Sequence, residues 1–457
     1  MPFFIRPWTP LGVPQKFVRS ATAAMFAATL FAADFSALAQ TGQTQVRQPL
    51  TLEAALQAAQ KRSQALPAQD AAATAAREQA LAAGRLPDPM LRLSVDNLPV
   101  DGAKRFSLTE DFMTMRSVGL TQTFTREGKR RARSASFERQ ADTALAAREM
   151  ELAKLRRNTA LAWFELYFQH QLVDLLSAQR AEAKRQITSA DAAYRAGSGS
   201  QADVFLARSA VARMDDRIRQ AQAQLSNAST ELSRWVGDVA AESLGAPPSI
   251  SQPRLTAQMQ DAPLNQYPDI AMLISKEAQA KAAAEVARQD KQADWSVSLM
   301  YGQRGPSFSN MASVVLSVPL QWDQANRQDR ELAAKLAKVE QARAEREEMT
   351  RARKAQVQRW LESWRSGVER MKDYDASLIP LTIDRSTAAL AAYSGGKASL
   401  ASVIDARLSV VDTRLEKLRI EMQTAALWVE LEYLMPEDSA ASNTAAMKSN
   451  SNPGAQP

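Results

Sequence analysis

A chain of 457 residues with 45% hydrophobic residues, 23% charged residues and only 16 glycines has room for two or three domains and the composition of an ordered, helix-rich protein. It has no cysteine, which excludes a disulfide framework, thiolate metal sites and a lipid-modified N-terminal cysteine; its single histidine, His170, argues against imidazole catalysis. The net charge of +7 is mild and lies largely on mixed-charge stretches, so nucleic acid is not an expected partner.

In chain order, Arg6, Lys16 and Arg19 precede the apolar stretch ATAAMFAATLFAA, and Ala37–Ala39 supplies a small-x-small site. This predicts an export signal over 1–39 and a mature chain beginning at Gln40. The apolar run falls short of the ~20 residues that a spanning helix needs. Leu52 to Gly84 is an Ala-rich helical segment containing Pro67. Next, MLRLSVDNLP alternates, with Leu91, Leu93 and Val95 on one face and Arg92, Ser94 and Asp96 on the other. RSVGLTQTFT does the same, with Val118, Leu120 and Phe124 against Thr121 and Thr123. Strands are expected at about 90–98 and 116–125.

From Lys129 to Ala196 there are 68 residues without Gly or Pro. As one helix at ~1.5 Å per residue they would span on the order of 100 Å. Within them His170 lies beside Phe164, Tyr167 and Phe168 and reads as a packing residue. The basic cluster REGKRRAR, Arg126 to Arg133, reads as a solvated face. Gly197–Ser200 breaks the helix, Asp203 reads as an N-cap, and a second helix runs to Trp235 before Gly237.

The second half repeats these parts. After the Pro-rich stretch 245–268, strands are expected at about 295–303 and 313–322, with Trp295, Val297, Leu299 and Tyr301, then Val314, Leu316, Val318, Leu320 and Trp322, on the apolar faces. Gly367 and Pro380 are expected to kink the incoming helix. AAYSGGKASLASVIDARLSV from Ala391 matches AAYRAGSGSQADVFLARSAV from Ala192 at 10 of 20 positions without a gap, 199 residues apart. Tyr194/Tyr393 and Gly197/Gly396 are among the identities. From Pro436 onward the chain reads as a disordered tail.

Four strands of about ten residues, apolar on one face, have the pattern of a transmembrane β-barrel, with aromatics at strand ends for its girdles. Two hairpins cannot close a barrel, and open edges are not tolerated in lipid, so such a barrel needs several chains.

These tandem halves, the leading helix LTLEAALQAAQKRS, the paired strands and the doubled Tyr-x-x-Gly turn make the chain resemble the outer membrane efflux protein (TolC-like) family over roughly 50–436. The resemblance implies a mainly α fold with a transmembrane β part, in two repeats (50–244 and 269–436) joined by the linker 245–268 and followed by the tail 437–457. Long antiparallel helical hairpins would form a periplasmic α-barrel, and four strands per chain would enter a twelve-stranded barrel in a homotrimer. It implies a passive conduit in the outer membrane reaching into the periplasm, with outer-membrane lipid, a periplasmic adaptor and an inner-membrane resistance–nodulation–division pump as partners, and neither enzyme activity nor a cofactor. The turns carrying Tyr194, Gly197, Asp203, Tyr393, Gly396 and Asp405 would close the tunnel and meet the adaptor. Asp405 matches the inner of two gate aspartates, and Ser402 stands at the position of the other. LPDPMLRLSVDNLPVDG and FSLTEDFMTMRSVGLTQTF are similar to the heavy-metal subgroup, where Met113 and Met115 offer thioethers suited to Cu(I) or Ag(I). The same methionines also read as ordinary loop or strand residues. Drug or protein export through such a channel is the alternative cargo. A periplasmic adaptor is the alternative class, which would show one hairpin flanked by β domains.

Overall fold

A computed structural model describes residues 49–238, 243–255 and 266–435. The export signal 1–39, the middle of the linker and the tail 437–457 lie outside the described residues.

The first half contains α1 (Leu52–Arg62), α2 (Ala65–Ala83), β1 (Met90–Asp96), β2 (Met115–Phe124), α3 (Glu127–Arg195) and α4 (Gln201–Val236). The second contains α5 (Pro268–Gln289), β3 (Trp295–Gln303), β4 (Met311–Ser317), α6 (Gln328–Asp373), α7 (Ile379–Ser394) and α8 (Leu400–Glu432). Thr51 caps α1, its hydroxyl accepting from the Ala54 amide at 3.2 Å. The leading helical segment breaks after Arg62, at Ser63, so Pro67 falls in the first turn of α2, where its missing N–H costs nothing. α3 is one helix of 69 residues.

The rod corresponding to α3 in the second half is divided. Between α6 and α7 lies a π turn, Tyr374–Leu378, closed by the Ile379 amide on the Tyr374 carbonyl. Pro380 follows immediately, and its lack of an N–H removes an α-helical bond there. Gly367 has a different role from the expected kink. It lies inside α6, buried, and a Cβ there would sit 2.2 Å from Thr424 Oγ1 of α8. It permits close approach of two helices rather than bending one.

The four strands form one antiparallel sheet in the order β1-β2-β3-β4, so β2 and β3 join the two halves. The register runs Leu91–Leu120–Leu299–Val314 across all four strands, and Phe124 pairs with Trp295. β1 stops at Asp96 because Asn97 turns the chain at φ 56°. β4 ends at Ser317, well short of the expected 322, because Pro319 has no N–H to give to a ladder.

The largest apolar cluster joins the helices midway along. Trp163, Phe164 and Phe168 of α3 meet Leu232 of α4, Trp428 of α8 and Leu52 of α1. Trp163 is fully buried and stacks on Tyr167 at 5.6 Å, while Phe164 meets Trp428 edge-on at 5.9 Å. His170 is exposed, not packed: the buried stripe of this turn is carried by Trp163, Leu166 and Gln169.

Candidate functional site

The candidate residues fall in three regions: the helical tips, the sheet, and the junction between sheet and helices.

At the tips, both incoming helices end in the same backbone motif. After α3, Ser198 donates to the Ala193 carbonyl at 3.0 Å and Gly197 to that of Tyr194 at 3.1 Å, with Gly197 at φ 67°. After α7, Lys397 donates to Ala392 at 2.8 Å and Gly396 to Tyr393 at 3.0 Å, with Gly396 at φ 69°. Each is a Schellman turn, which requires a left-handed residue and therefore favours glycine.

The outgoing helices differ. The N-cap of α4 is Ser200, not Asp203. Ser200 Oγ accepts from the Asp203 amide at 3.2 Å and donates to its carboxylate at 2.7 Å, while the Ser200 amide donates to the same carboxylate at 3.0 Å. Asp203 thus closes a capping box from the third helical position. The Ser200 hydroxyl, then its amide, hold the Asp203 carboxyl below the usual carboxylate range. In α8 the N-cap is Ser399, whose hydroxyl accepts from the Ser402 amide at 3.3 Å, but Ser402 turns its own hydroxyl to the Ser399 carbonyl at 2.6 Å. The reciprocal half of the box is missing.

The two tips pack into one cluster. Ala190, Val204, Ala207 and Ala210 meet Leu400 and Ile404, with Tyr393 against them. Tyr194 is instead 48% exposed, so the two tyrosines occupy different surroundings. Asp405 is paired with Arg385 of α7 at 3.2 Å, both well exposed, so the pair adds little stability. Ion pairs Arg407–Glu182 and Arg217–Asp412 link the second hairpin to the first, the latter at 3.2 Å. A cavity of about 230 Å³ lies between the hairpins, lined by Met214, Ile383, Leu390, Ile404 and Arg407.

The sheet shows an apolar face without cover. Leu91 is 64% exposed, Leu93 73%, Val314 73% and Leu316 64%, and no helix among the described residues packs along it. Phe124 and Trp295 stack at 4.3 Å at one end of this face, and Tyr301 stands near the other. The span from Trp295 to Tyr301 is about 20 Å at ~3.3 Å per residue. No helix of the described residues is long and apolar enough to cross a membrane.

The second face is polar, with Thr121 and Ser298 hydroxyls 2.7 Å apart and Asp96 accepting from Ser117 at 2.5 Å. Met115 is the first residue of β2 and lies on this face, whereas Met113 lies in the preceding loop, 50% exposed, its amide on Asp111 at 2.8 Å. The structure does not set the two in one strand. Met300 and Met311 share the face of Met115, a relation that alternation along β3 and β4 encodes and that loop-level reading misses.

The basic cluster at the junction divides: Arg126, Arg131 and Arg133 are exposed, as a solvated face requires, whereas Lys129 and Arg130 are partly buried. Lys129 bonds Asp290 at 2.9 Å and Asp294 at 3.0 Å with its side chain 12% exposed, and the Arg126 guanidinium donates to Ala293 at 3.1 Å. Arg130 reaches the Gly84 carbonyl at 3.3 Å. Burial lowers the proton affinity of Lys129, but the bonds and attraction to Asp290 and Asp294 outweigh it, so the ammonium is held more tightly than a free one. These residues tie the start of α3 to the link between α5 and β3.

Residues 55–238 match the family described as outer membrane efflux protein. Over that span the chain is similar to the outer membrane efflux protein family. The likeness places the protein in the outer membrane, and the matched family is one of efflux channels rather than enzymes. The fold extends the likeness over both halves. The chain is similar to CusC, described by its transmembrane channel formation, with TM-score 0.69 and 18% identity over 84% of this chain and 91% of that one. It is similar to the CmeC outer membrane channel of Campylobacter jejuni, with TM-score 0.71 and 14% identity over 87% and 89%. It is similar to the outer membrane protein VceC of Vibrio cholerae, with TM-score 0.68 and 18% identity over 84% and 95%. No curated protein matches the chain. At these identities the efflux-channel structures speak for the fold.

Proposed function

We propose that this protein is the outer-membrane channel of a tripartite efflux pump, a passive conduit formed by three copies. The observation that carries the reading is the sheet: an apolar face without cover, two open edges at β1 and β4, and long helical hairpins attached at one end. In water the face would be a large apolar patch, and in lipid the edges would leave backbone groups unpaired at several kcal/mol each. Pairing β4 of one copy with β1 of the next removes the edges, and three copies supply twelve strands. The apolar face then meets lipid between two aromatic girdles, and the polar face lines the lumen. Two hairpins, rather than the single one of a periplasmic adaptor, favour the channel.

In this assembly the tips with Tyr194, Gly197, Asp203, Tyr393, Gly396 and Asp405 form the periplasmic end. There they narrow the tunnel and face an adaptor that bridges to an inner-membrane resistance–nodulation–division pump. Three Asp405 carboxylates would form one cation-attracting ring; with Ser402 in place of a second aspartate, no second ring stands beside it. The cargo is a heavy-metal cation, copper or silver first, a reading supported by the sequence around the first hairpin and by soft thioether donors on the lumen side.

Two measurements test this. The mass of the detergent-solubilised protein is expected to be that of a trimer, and a monodisperse monomer with full β content would overturn the channel. A deletion strain challenged with copper, silver, zinc, cobalt, cadmium, dyes and antibiotics is expected to be hypersensitive to copper and silver. Sensitivity confined to drugs would replace the cargo and keep the channel.

A further inference from the structure

Strand alternation places four methionines on the polar face of the sheet: Met90 on β1, Met115 on β2, Met300 on β3 and Met311 on β4. Three of them meet glycine gaps. Gly302 pairs with Ser117 on one side and with Met311 on the other. A Cβ on Gly302 would lie 3.2 Å from Met115 Sδ and 3.4 Å from Ser117 Oγ, so the sulfur already leans over the space this glycine leaves. One row along, Met300 lies over Gly119, where a Cβ would sit 2.7 Å from its Cγ.

A carboxylate stands beside the gap. Asp96 is the ladder partner of Met115, and it accepts from Ser94 at 3.2 Å and Ser117 at 2.5 Å. Arg92, on the row of Gly119, is the other charged residue that the four strands place on this face.

We propose that Met115 and Met311, flanking Gly302 with Asp96 alongside, form a binding site for a soft monovalent cation, Ag(I) or Cu(I). Thioethers are neutral, soft donors that select such ions over Zn(II) or Mg(II). Two of them leave the bound ion its full charge, which the neighbouring carboxylate offsets. Methionine also serves as apolar filler, but filler is enclosed, and Met311 is 49% exposed on a face whose residues, besides the methionines, are serine, threonine and glycine with Arg92, Asp96 and Val315. The position near the loop end of the sheet places the site toward the outer mouth of the lumen. That placement rests on the channel reading, but the site itself does not.

The test is Ag(I) binding to the purified full-length protein in detergent, by competition with a chelator of known affinity, with silver–sulfur coordination read by X-ray absorption. The Met115→Leu/Met311→Leu double variant keeps the apolar volume and is expected to bind Ag(I) at least tenfold more weakly and to lose the sulfur signature. Met90→Leu, three rows away, is expected to bind like the parent protein. Gly302→Leu, which retains both thioethers but fills the gap, is expected to weaken binding as the double variant does, and guards against a double variant that fails to fold. Parent affinity in both the double variant and Gly302→Leu would overturn the site. If binding is lost in these variants while the deletion strain is sensitive to drugs alone, the site stands and the metal-cargo reading falls.

Discussion

The indole N–H of Trp163 donates to the carbonyl of Leu50 at 3.0 Å, spanning 113 residues of sequence. Trp364 does the same to Ile250 at 3.0 Å, spanning 114. Each bond pins a long rod to the segment that leads into its own half of the chain. Replacing either tryptophan by phenylalanine keeps a ring and orphans a carbonyl, a change expected to cost about 1–3 kcal/mol. Thermal unfolding in detergent checks it, and the fully buried Trp163 is expected to show the larger drop in Tm.

Gly367→Ala is expected to destabilise the contact of α6 with α8. The added methyl meets Thr424 Oγ1, whose own bond to the Ile420 carbonyl at 2.7 Å holds it in place. Overpacking of this kind costs about 1–3 kcal/mol, which exceeds the ~1 kcal/mol that alanine gains over glycine in a helix. A combined Gly367→Ala/Thr424→Ala variant is expected to recover part of the loss, because alanine removes the Oγ1 that the new methyl meets.

The tips offer a paired experiment. Asp203→Ala removes the reciprocal half of the first capping box and is expected to speed amide exchange at the start of α4 about fivefold, from ~1 kcal/mol of lost capping. Ser402→Asp is expected to do the reverse in α8 by completing the box with Ser399. Unchanged exchange in both would show that these helix starts are held by packing instead.

Glu277 accepts from Lys281 at 2.6 Å and Arg346 at 2.7 Å with its side chain 11% exposed. These bonds, first from Lys281 and then from Arg346, hold its carboxyl below the ordinary 4.5. A lowered folded-state value means that the stabilisation is complete above pH 4.5 and fades as the pH falls through the folded value. Melting curves from pH 7 to pH 3 are expected to show this loss, and Glu277→Gln to be less stable at pH 7 with a flatter acid limb.

The helices and strands are legible because their periods are local: a 69-residue helix free of proline and four alternating runs need no distant partner to be read. The Ser200 cap was equally local, since Ser-x-x-Asp is a capping box in plain sequence. Pro319 likewise announces the end of β4. The partners of Lys129 were not legible, because Asp290 and Asp294 lie more than 160 residues away. The same holds for Met311 opposite Gly302 and for Gly367 against Thr424, which exist only once register and helix crossing are set. The face His170 takes depended on which side of α3 the neighbouring helices chose.

The π turn has a bearing on the symmetry of the two halves. From the pinned tryptophan to the tip tyrosine there are 194 − 163 = 31 residues in the first half and 393 − 364 = 29 in the second. Two missing residues in an unbroken α-helix would swing the second tip about 200° around the rod axis at ~100° per residue. A π turn takes up one residue without advancing the winding, so the effective shortfall becomes about three residues, or roughly 300°, close to a full revolution. The turn at Tyr374–Leu378 is thus an angular correction. It lets a shorter rod deliver Tyr393 and Gly396 at nearly the azimuth that Tyr194 and Gly197 have on theirs, so that both loops can belong to one ring. Deleting one residue within the turn would restore a regular α-helix and keep that alignment, whereas deleting one from the regular part of the rod would swing the tip by about 100°.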